Sequence, residues 1–200
     1  MKKDEYILNL FIGISIIIWG IIGLYDGVIG QFSIVRFCSS FLNLCIGLFF
    51  IFRSPIVKSG SNISILISIP SFLCGGLLFK MAHPFHTWPL LLEITFVIGV
   101  LFALISFLYL GKNFAIFPSL RSISLKGPYR CVRHPCYISE LVMTFSCCMV
   151  NVSYYTITVF ILFILFIYLR IEEEEKLLSN SDLYVKYKSN VKWRLIPYIW

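Results

Sequence analysis

Six continuous apolar runs, parted by short polar breaks, constrain this chain more than any other feature. They occupy residues 7–25, 34–52, 63–79, 88–110, 136–150 and 156–169. A helix needs about 20 residues to cross the roughly 30 Å hydrocarbon layer of a bilayer. Lipid offers the backbone no hydrogen-bond partners, so only helices and closed barrels can span it. The runs are continuous rather than alternating, which selects helices over barrel strands. Composition points the same way: 58% of the 200 residues are hydrophobic and 14% charged, whereas a soluble domain is about 45–50% apolar. Mean hydropathy is +0.87. The expected fold is all-α, a polytopic transmembrane bundle of about five to six helices forming one integral membrane domain over residues 1–200. An amphipathic tail, residues 170–200, follows it. A five-span version with an incomplete hairpin at 136–169 is the alternative.

The formal net charge is +7, but Lys and Arg stand beside the apolar runs and form no basic domain interleaved with aromatics. Membrane lipids with anionic head groups, not nucleic acid, are the expected partner. Most of the positive charge falls on one side if the N-terminus, the Arg53–Lys58 loop, residues 111–135 and the tail share it. The positive-inside rule makes that side, including the C-terminus, cytoplasmic. The first run lacks a small-residue cleavage site and reads as a retained helix, which with the short chain suits a bacterial inner membrane. Pro70 and Gly75-Gly76 predict a kink in the third run. The seven cysteines show no paired zinc spacing and read as small hydrophobes. His83 and His86 flank Pro84 without a third ligand, so no metal is expected there. Glu93, inside the fourth run, is a functional suspect because a membrane-depth carboxylate is costly.

The chemistry concentrates at two polar poles. The first is residues 127–137, Gly-Pro-Tyr-Arg-Cys-Val-Arg-His-Pro-Cys-Tyr. Each proline removes an amide donor and biases its predecessor out of the α region. A short stiff segment results, presenting Tyr129, Arg130, Arg133, His134 and Tyr137 at a membrane boundary. Taken alone, His134 reads as a loop histidine bonded to backbone, and Arg130 as a head-group contact. The second pole is Arg170 with Glu172, Glu173, Glu174 and Glu175, directly after the last apolar run. If the helix continues, Arg170 and Glu174 share a face, with Glu173 beside them and Glu175 about a quarter-turn away. A solvated helix end with Glu172–Lys176 pairing is the simpler reading of such a run. Tyr184, Tyr187 and Arg194-Leu195-Ile196-Pro197 follow closely.

In this order, Gly111-Lys112-Asn113-Phe114, Gly127-Pro128-Tyr129-Arg130, Arg133-His134-Pro135-x-Tyr137, Arg170 with Glu174-Glu175, Tyr184, Tyr187 and Arg194–Pro197 resemble one family. It is the isoprenylcysteine carboxyl methyltransferase-like family of integral membrane methyltransferases, which shares features with phospholipid methyltransferases. Lys112 stands where the family more often has Arg, and residues 179–182 stand where it usually has Phe-Gly. Residues 1–110 carry no motif matching the family and are expected to select the acceptor, leaving 111–200 to bind the cofactor.

The resemblance implies methyl transfer from S-adenosylmethionine, bound between residues 133–137 and 170–175, to a lipophilic small-molecule, prenylated or lipid acceptor. The residue types suit that cofactor, which carries a carboxylate, a ribose diol, an adenine ring and a sulfonium. Tyr129, Arg133, His134, Pro135, Tyr137, Glu174, Glu175 and Tyr187 are the expected binding set. No Gly-x-Gly-x-x-Gly follows a strand, so a dinucleotide-type site is not the source of binding. An acceptor carboxylate needs no general base, and Arg170 or Arg194 would hold it, with Glu174 completing the catalytic set. An amine acceptor would need His134 or a Glu to take its proton. Phospholipid N-methylation, a nicotinamide-dependent membrane reductase and a non-catalytic membrane protein are the alternatives.

Overall fold

The computed structural model describes residues 3–56, 58–114, 119–120 and 124–200; Arg121 of the basic loop and Lys2 lie outside them. Among the described residues are seven helices: α1 (Lys3–Ile29), α2 (Ile34–Ile51), α3 (Asn62–Met81), α4 (Leu90–Leu110), α5 (Pro135–Val150), α6 (Tyr154–Leu178) and α7 (Asp182–Asn190). A two-residue antiparallel ladder joins Lys58–Ser59 to Ser119–Leu120. The expected all-α bundle is therefore observed. Five helices are long and apolar enough to cross a bilayer. The sixth element of the bundle, α5, has 16 residues and rises about 24 Å. It nonetheless runs most of the way, because Asn151 Nδ2 just beyond its end donates to the Met81 carbonyl at the far end of α3.

Local chemistry sets the boundaries. Ser33, Ser61 and Ser153 cap α2, α3 and α6, each hydroxyl accepting an amide three residues on, which satisfies donors a helix start leaves unpaired. Thr156 returns the bond to the Ser153 amide, completing a capping box. Gly111, at φ +56°, ends α4. Pro70 lies inside α3, which continues across it. The last apolar run continues past Leu169 as one helix to Leu178, so its polar end is helical.

Neighbours pair α1 with α2, α4 with α5, and α3 with α6 most extensively. Small residues let α1 and α2 approach closely: a Cβ on Gly47 would stand 2.5 Å from Ile17 Cγ1 and 2.7 Å from the Gly13 carbonyl oxygen. Such contacts are how helices associate where lipid removes the hydrophobic drive. The polar ends gather at one face. Ile56 donates its amide to Glu5, Arg53 bonds Asn9, and the Ser54 amide lies 2.6 Å from the Lys112 carbonyl. The N-terminus, the 53–58 loop and the 111–135 segment therefore share an end of the bundle. There Phe49, Phe50, Phe107 and Phe114 form an aromatic cluster, with Phe107 and Phe114 centroids 4.9 Å apart. The outer faces of α1 and α4 expose Phe11, Trp19, Leu91, Leu101 and Leu108, as lipid-facing surfaces do.

Gly47→Leu is expected to force α1 from α2 and to destabilise by about 1–3 kcal/mol or more, as overpacking does. Gly76→Ala, whose added carbon meets nothing within 4 Å, is expected to leave thermal unfolding in detergent unchanged. Equal melting of the two variants would remove the close contact as a determinant.

Candidate active site

The first pole begins with a glycine that only glycine can fill. Gly127 has φ +58°, and a Cβ there would lie 2.5 Å from the Tyr109 ring. Residues Gly127–Arg130 form one 3₁₀ turn that buries Tyr129. The next two amides reach across the molecule: Arg133 N donates to the Trp193 carbonyl at 2.9 Å and His134 N to that of Arg194 at 3.0 Å. α5 then starts at Pro135, where a missing amide hydrogen is harmless.

The second pole is the end of α6, where a helix turns about 100° per residue and sends four consecutive carboxylates in different directions. Glu172 Oε1 accepts from Arg194 Nη1 at 2.5 Å. Glu173 pairs with Lys176 at 2.6 Å and accepts from Ser64 Oγ at 3.2 Å. The expected Glu172–Lys176 pair is thus replaced by Glu173–Lys176, because Arg194 claims Glu172. Glu175 is 2% exposed. Its Oε1 accepts from Arg133 Nε at 2.7 Å and lies 3.2 Å from His134 Nε2; its Oε2 lies 3.2 Å from Arg194 and 3.3 Å from Lys188. Arg133 Nη1 also donates to the Val191 and Lys192 carbonyls, each at 2.7 Å. Glu174 accepts from Tyr137 Oη at 2.6 Å and lies 4.0 Å from His134 Nδ1. Among the described residues no Lys or Arg comes within ion-pair distance of Glu174.

A cavity of about 150 Å³ opens beside Glu174. Its polar lining includes Tyr129, Arg133, His134, Tyr137, Arg170 and Glu174; its apolar lining includes Ile46, Phe72, Phe107, Leu110 and Phe114. The Arg170 guanidinium is 4.3 Å from the Phe72 ring centroid and 4.8 Å from that of Tyr137. Its Nη1 lies 3.5 Å from Glu140 and 3.4 Å from Ser71 Oγ. Pro135 is buried at the α5 start. Glu175 and Arg194 stand outside the cavity lining, in the ion cluster behind it. Tyr187 also stands behind, its hydroxyl donating to the Tyr129 carbonyl at 2.6 Å. Burial holds the Tyr129 and Tyr187 phenols far above their usual range, so both act as neutral groups. Burial works against the Arg194 charge, but Glu175 and Glu172 outweigh it and its pKa rises. The Tyr184 hydroxyl is buried without a hydrogen-bond partner among the described residues.

Sequence reasoning missed Glu140, which lines the cavity. The signal was present: it is a carboxylate inside an apolar run, the argument applied to Glu93. Glu93 itself lies in the first turn of α4, at the end of that helix opposite the cavity-lining Phe107 and Leu110. His83 and His86 line a separate polar pocket with Asp26 and Arg36. Ser179 and Asn180 cap the end of α6: Ser179 Oγ donates to the Glu175 carbonyl at 2.6 Å and Asn180 Nδ2 to that of Leu177 at 2.8 Å.

Removing one partner of a buried ion cluster strands the others. Glu175→Ala is therefore expected to cost about 3–5 kcal/mol, read by thermal unfolding. Glu173→Ala, whose Lys176 partner is exposed, is expected to leave the midpoint unchanged. A Glu175→Ala protein as stable as wild type would show that the cluster does not hold the fold.

No curated protein matches this chain. The model of the isoprenylcysteine carboxyl methyltransferase (ICMT) family matches residues 90–180, which run from α4 to just past the end of α6. The whole polar lining of the cavity lies inside that stretch, while Ile46, Phe72 and the α7 tyrosines lie outside it. Over residues 90–180, this chain is similar to the isoprenylcysteine carboxyl methyltransferase family.

Proposed function

We propose that this chain is an S-adenosylmethionine-dependent membrane methyltransferase acting on a lipophilic acceptor. The observation that carries the reading is Glu174. Three of four consecutive carboxylates are neutralised by direct Lys or Arg pairs; the fourth faces the cavity bonded to a tyrosine hydroxyl and near a histidine, with no Lys or Arg within ion-pair distance among the described residues and the Arg170 guanidinium further along the same lining. A carboxylate so placed suits a ligand bringing its own positive charge and hydroxyl groups. Bound there, S-adenosylmethionine would supply a methyl group on a sulfonium. Glu174 and Tyr137 would take its diol or ammonium, the Tyr129 and Tyr137 rings its adenine, and Arg133 and His134 its carboxylate. The apolar lining comes mostly from residues 1–110, which suits a lipophilic acceptor. The match to the ICMT family supports the same assignment, and the cytoplasmic face of a bacterial inner membrane is the proposed location.

An acceptor carboxylate, the family's type, is ionised at neutral pH and needs no base. The protein's task is then to orient and dehydrate it, effects able to remove several kcal/mol of barrier. Arg170, between Phe72 and Tyr137, is the proposed orienting cation. Glu140 favours a second reading, an amine acceptor such as a phospholipid head group, because a second cavity carboxylate could take the proton an amine must lose.

Calorimetry on detergent-purified protein is expected to show saturable S-adenosylmethionine binding. Glu174→Gln and His134→Ala should each weaken it roughly ten- to hundredfold, the range for a hydrogen bond to a charged group. Unchanged affinity in both variants would overturn the site, and binding of reduced nicotinamide cofactor instead would move the assignment to a reductase. With radiolabelled methyl donor, a prenylated cysteine is expected to yield a base-labile ester. A base-stable product from phosphatidylethanolamine alone would select the amine reading. Truncation before Tyr184, which removes Tyr187 and Arg194, is expected to abolish turnover.

A further inference from the structure

Away from the cavity, a cleft of about 440 Å³ lies between α7 and the segment leading into the Gly127–Arg130 turn. Its polar lining is Arg130, Lys186 and Asn190; its apolar lining is Leu125, Leu183 and Val191, with Tyr187 at the side. Among the described residues no carboxylate lines it. The cations about the end of α6, Arg133, Arg170, Lys176, Lys188 and Arg194, all engage acidic side chains. The side chains of Arg130 and Lys186 enter no ion pair or hydrogen bond among the described residues. Two exposed, uncompensated cations over an apolar floor form a surface that complements an anionic amphiphile.

The depth of the cleft identifies the amphiphile. Ser124 Oγ donates to the Tyr109 carbonyl at 2.7 Å, and Gly127 packs on the Tyr109 ring. Leu125 is therefore held between two contacts to the last turn of α4, a helix long enough to span a bilayer. The cleft thus sits where a spanning helix leaves the hydrocarbon, at the level of lipid phosphates. A soluble phosphate would leave Leu125 and Leu183, both half-exposed, uncovered; a lipid covers them.

We propose that this cleft is a binding site for an anionic phospholipid. The phosphate sits on Arg130 and Lys186, and the glycerol and upper acyl chains lie along Leu125 and Leu183. The site is separate from the methyl-transfer cavity and does not depend on that assignment.

The test is native mass spectrometry of the full chain released from detergent containing equal phosphatidylglycerol and phosphatidylcholine. Wild-type protein is expected to retain phosphatidylglycerol preferentially. Each cation near a lipid surface contributes about a fivefold preference, so Arg130→Gln/Lys186→Gln should reduce the ratio roughly twentyfold. Arg130→Lys/Lys186→Arg should restore it, and Lys112→Gln, at another basic position by the end of α4, should leave it intact. Both target side chains are exposed, and an unchanged melting temperature confirms that the double variant folds. An unchanged preference in the Gln variant overturns the proposal. So does displacement of phosphatidylglycerol by glycerol phosphate or by an acidic peptide at comparable concentration, which would assign the cleft to a soluble anion or a protein segment.

Discussion

The buried Glu175 carboxylate is the interaction on which the rest of the site depends. It is contributed by α6, and its partners come from the α5 start (Arg133, His134), from α7 (Lys188) and from the C-terminal segment (Arg194). A carboxylate removed from water needs such compensation, because an unpaired buried charge costs several kcal/mol. The cations also lie near the C-terminal end of a helix, where the peptide dipoles favour positive charge. One group thereby fixes where α5 begins relative to where α6 ends. The same contact returns the chain's last residues to the site: the Trp193 and Arg194 carbonyls accept from the Arg133 and His134 amides, and Trp200 stacks on Tyr168 of α6.

That anchoring gives Glu174 its character. Adjacent residues on a helix diverge by about 100°, so pinning Glu175 toward the ion cluster turns Glu174 toward the cavity. There it meets Tyr137, in the first turn of α5, just after the Arg133-His134 segment that Glu175 holds. The polar lining of the cavity is thus a consequence of two helix phases locked together by a single carboxylate. The apolar lining follows from a different force, aromatic packing of Phe49, Phe107 and Phe114 between α2, α4 and the segment after it. The cavity lies where the ionic cluster and the aromatic cluster meet, at the end of the bundle where the basic loops gather.

Much of this was legible in the residues. Six apolar runs became six helices, five of them within a few residues at both ends and the last extended through its polar end to Leu178, since the demand of lipid on the backbone leaves few alternatives. The segment 127–137 announced itself through Gly127, Pro128 and Pro135. That Arg170 and Glu174 share a face was readable because helical spacing is local. Glu140 was not singled out, although its setting inside an apolar run marked it. The pairing of Glu172 with Arg194 rather than Lys176 was not readable, because Arg194 is 22 residues away and arrives only when the tail folds back.

The sequence by itself determined that this chain is a helical membrane protein, and that its charged and polar groups concentrate in two poles at one end of the bundle. Hydrophobic run length, proline and glycine placement and helical periodicity are local properties, so they survive without knowledge of the fold. The tertiary structure alone decided which charged groups are spent on each other and which face the cavity. It withdrew Glu175 and Arg194 into the cluster, kept Arg133 in the cavity lining, left Glu174 with no direct Lys or Arg ion pair among the described residues, and brought Glu140 and Arg170 to the same cavity. Charge pairing depends on distances of a few ångströms between segments far apart in sequence, and only packing sets those distances.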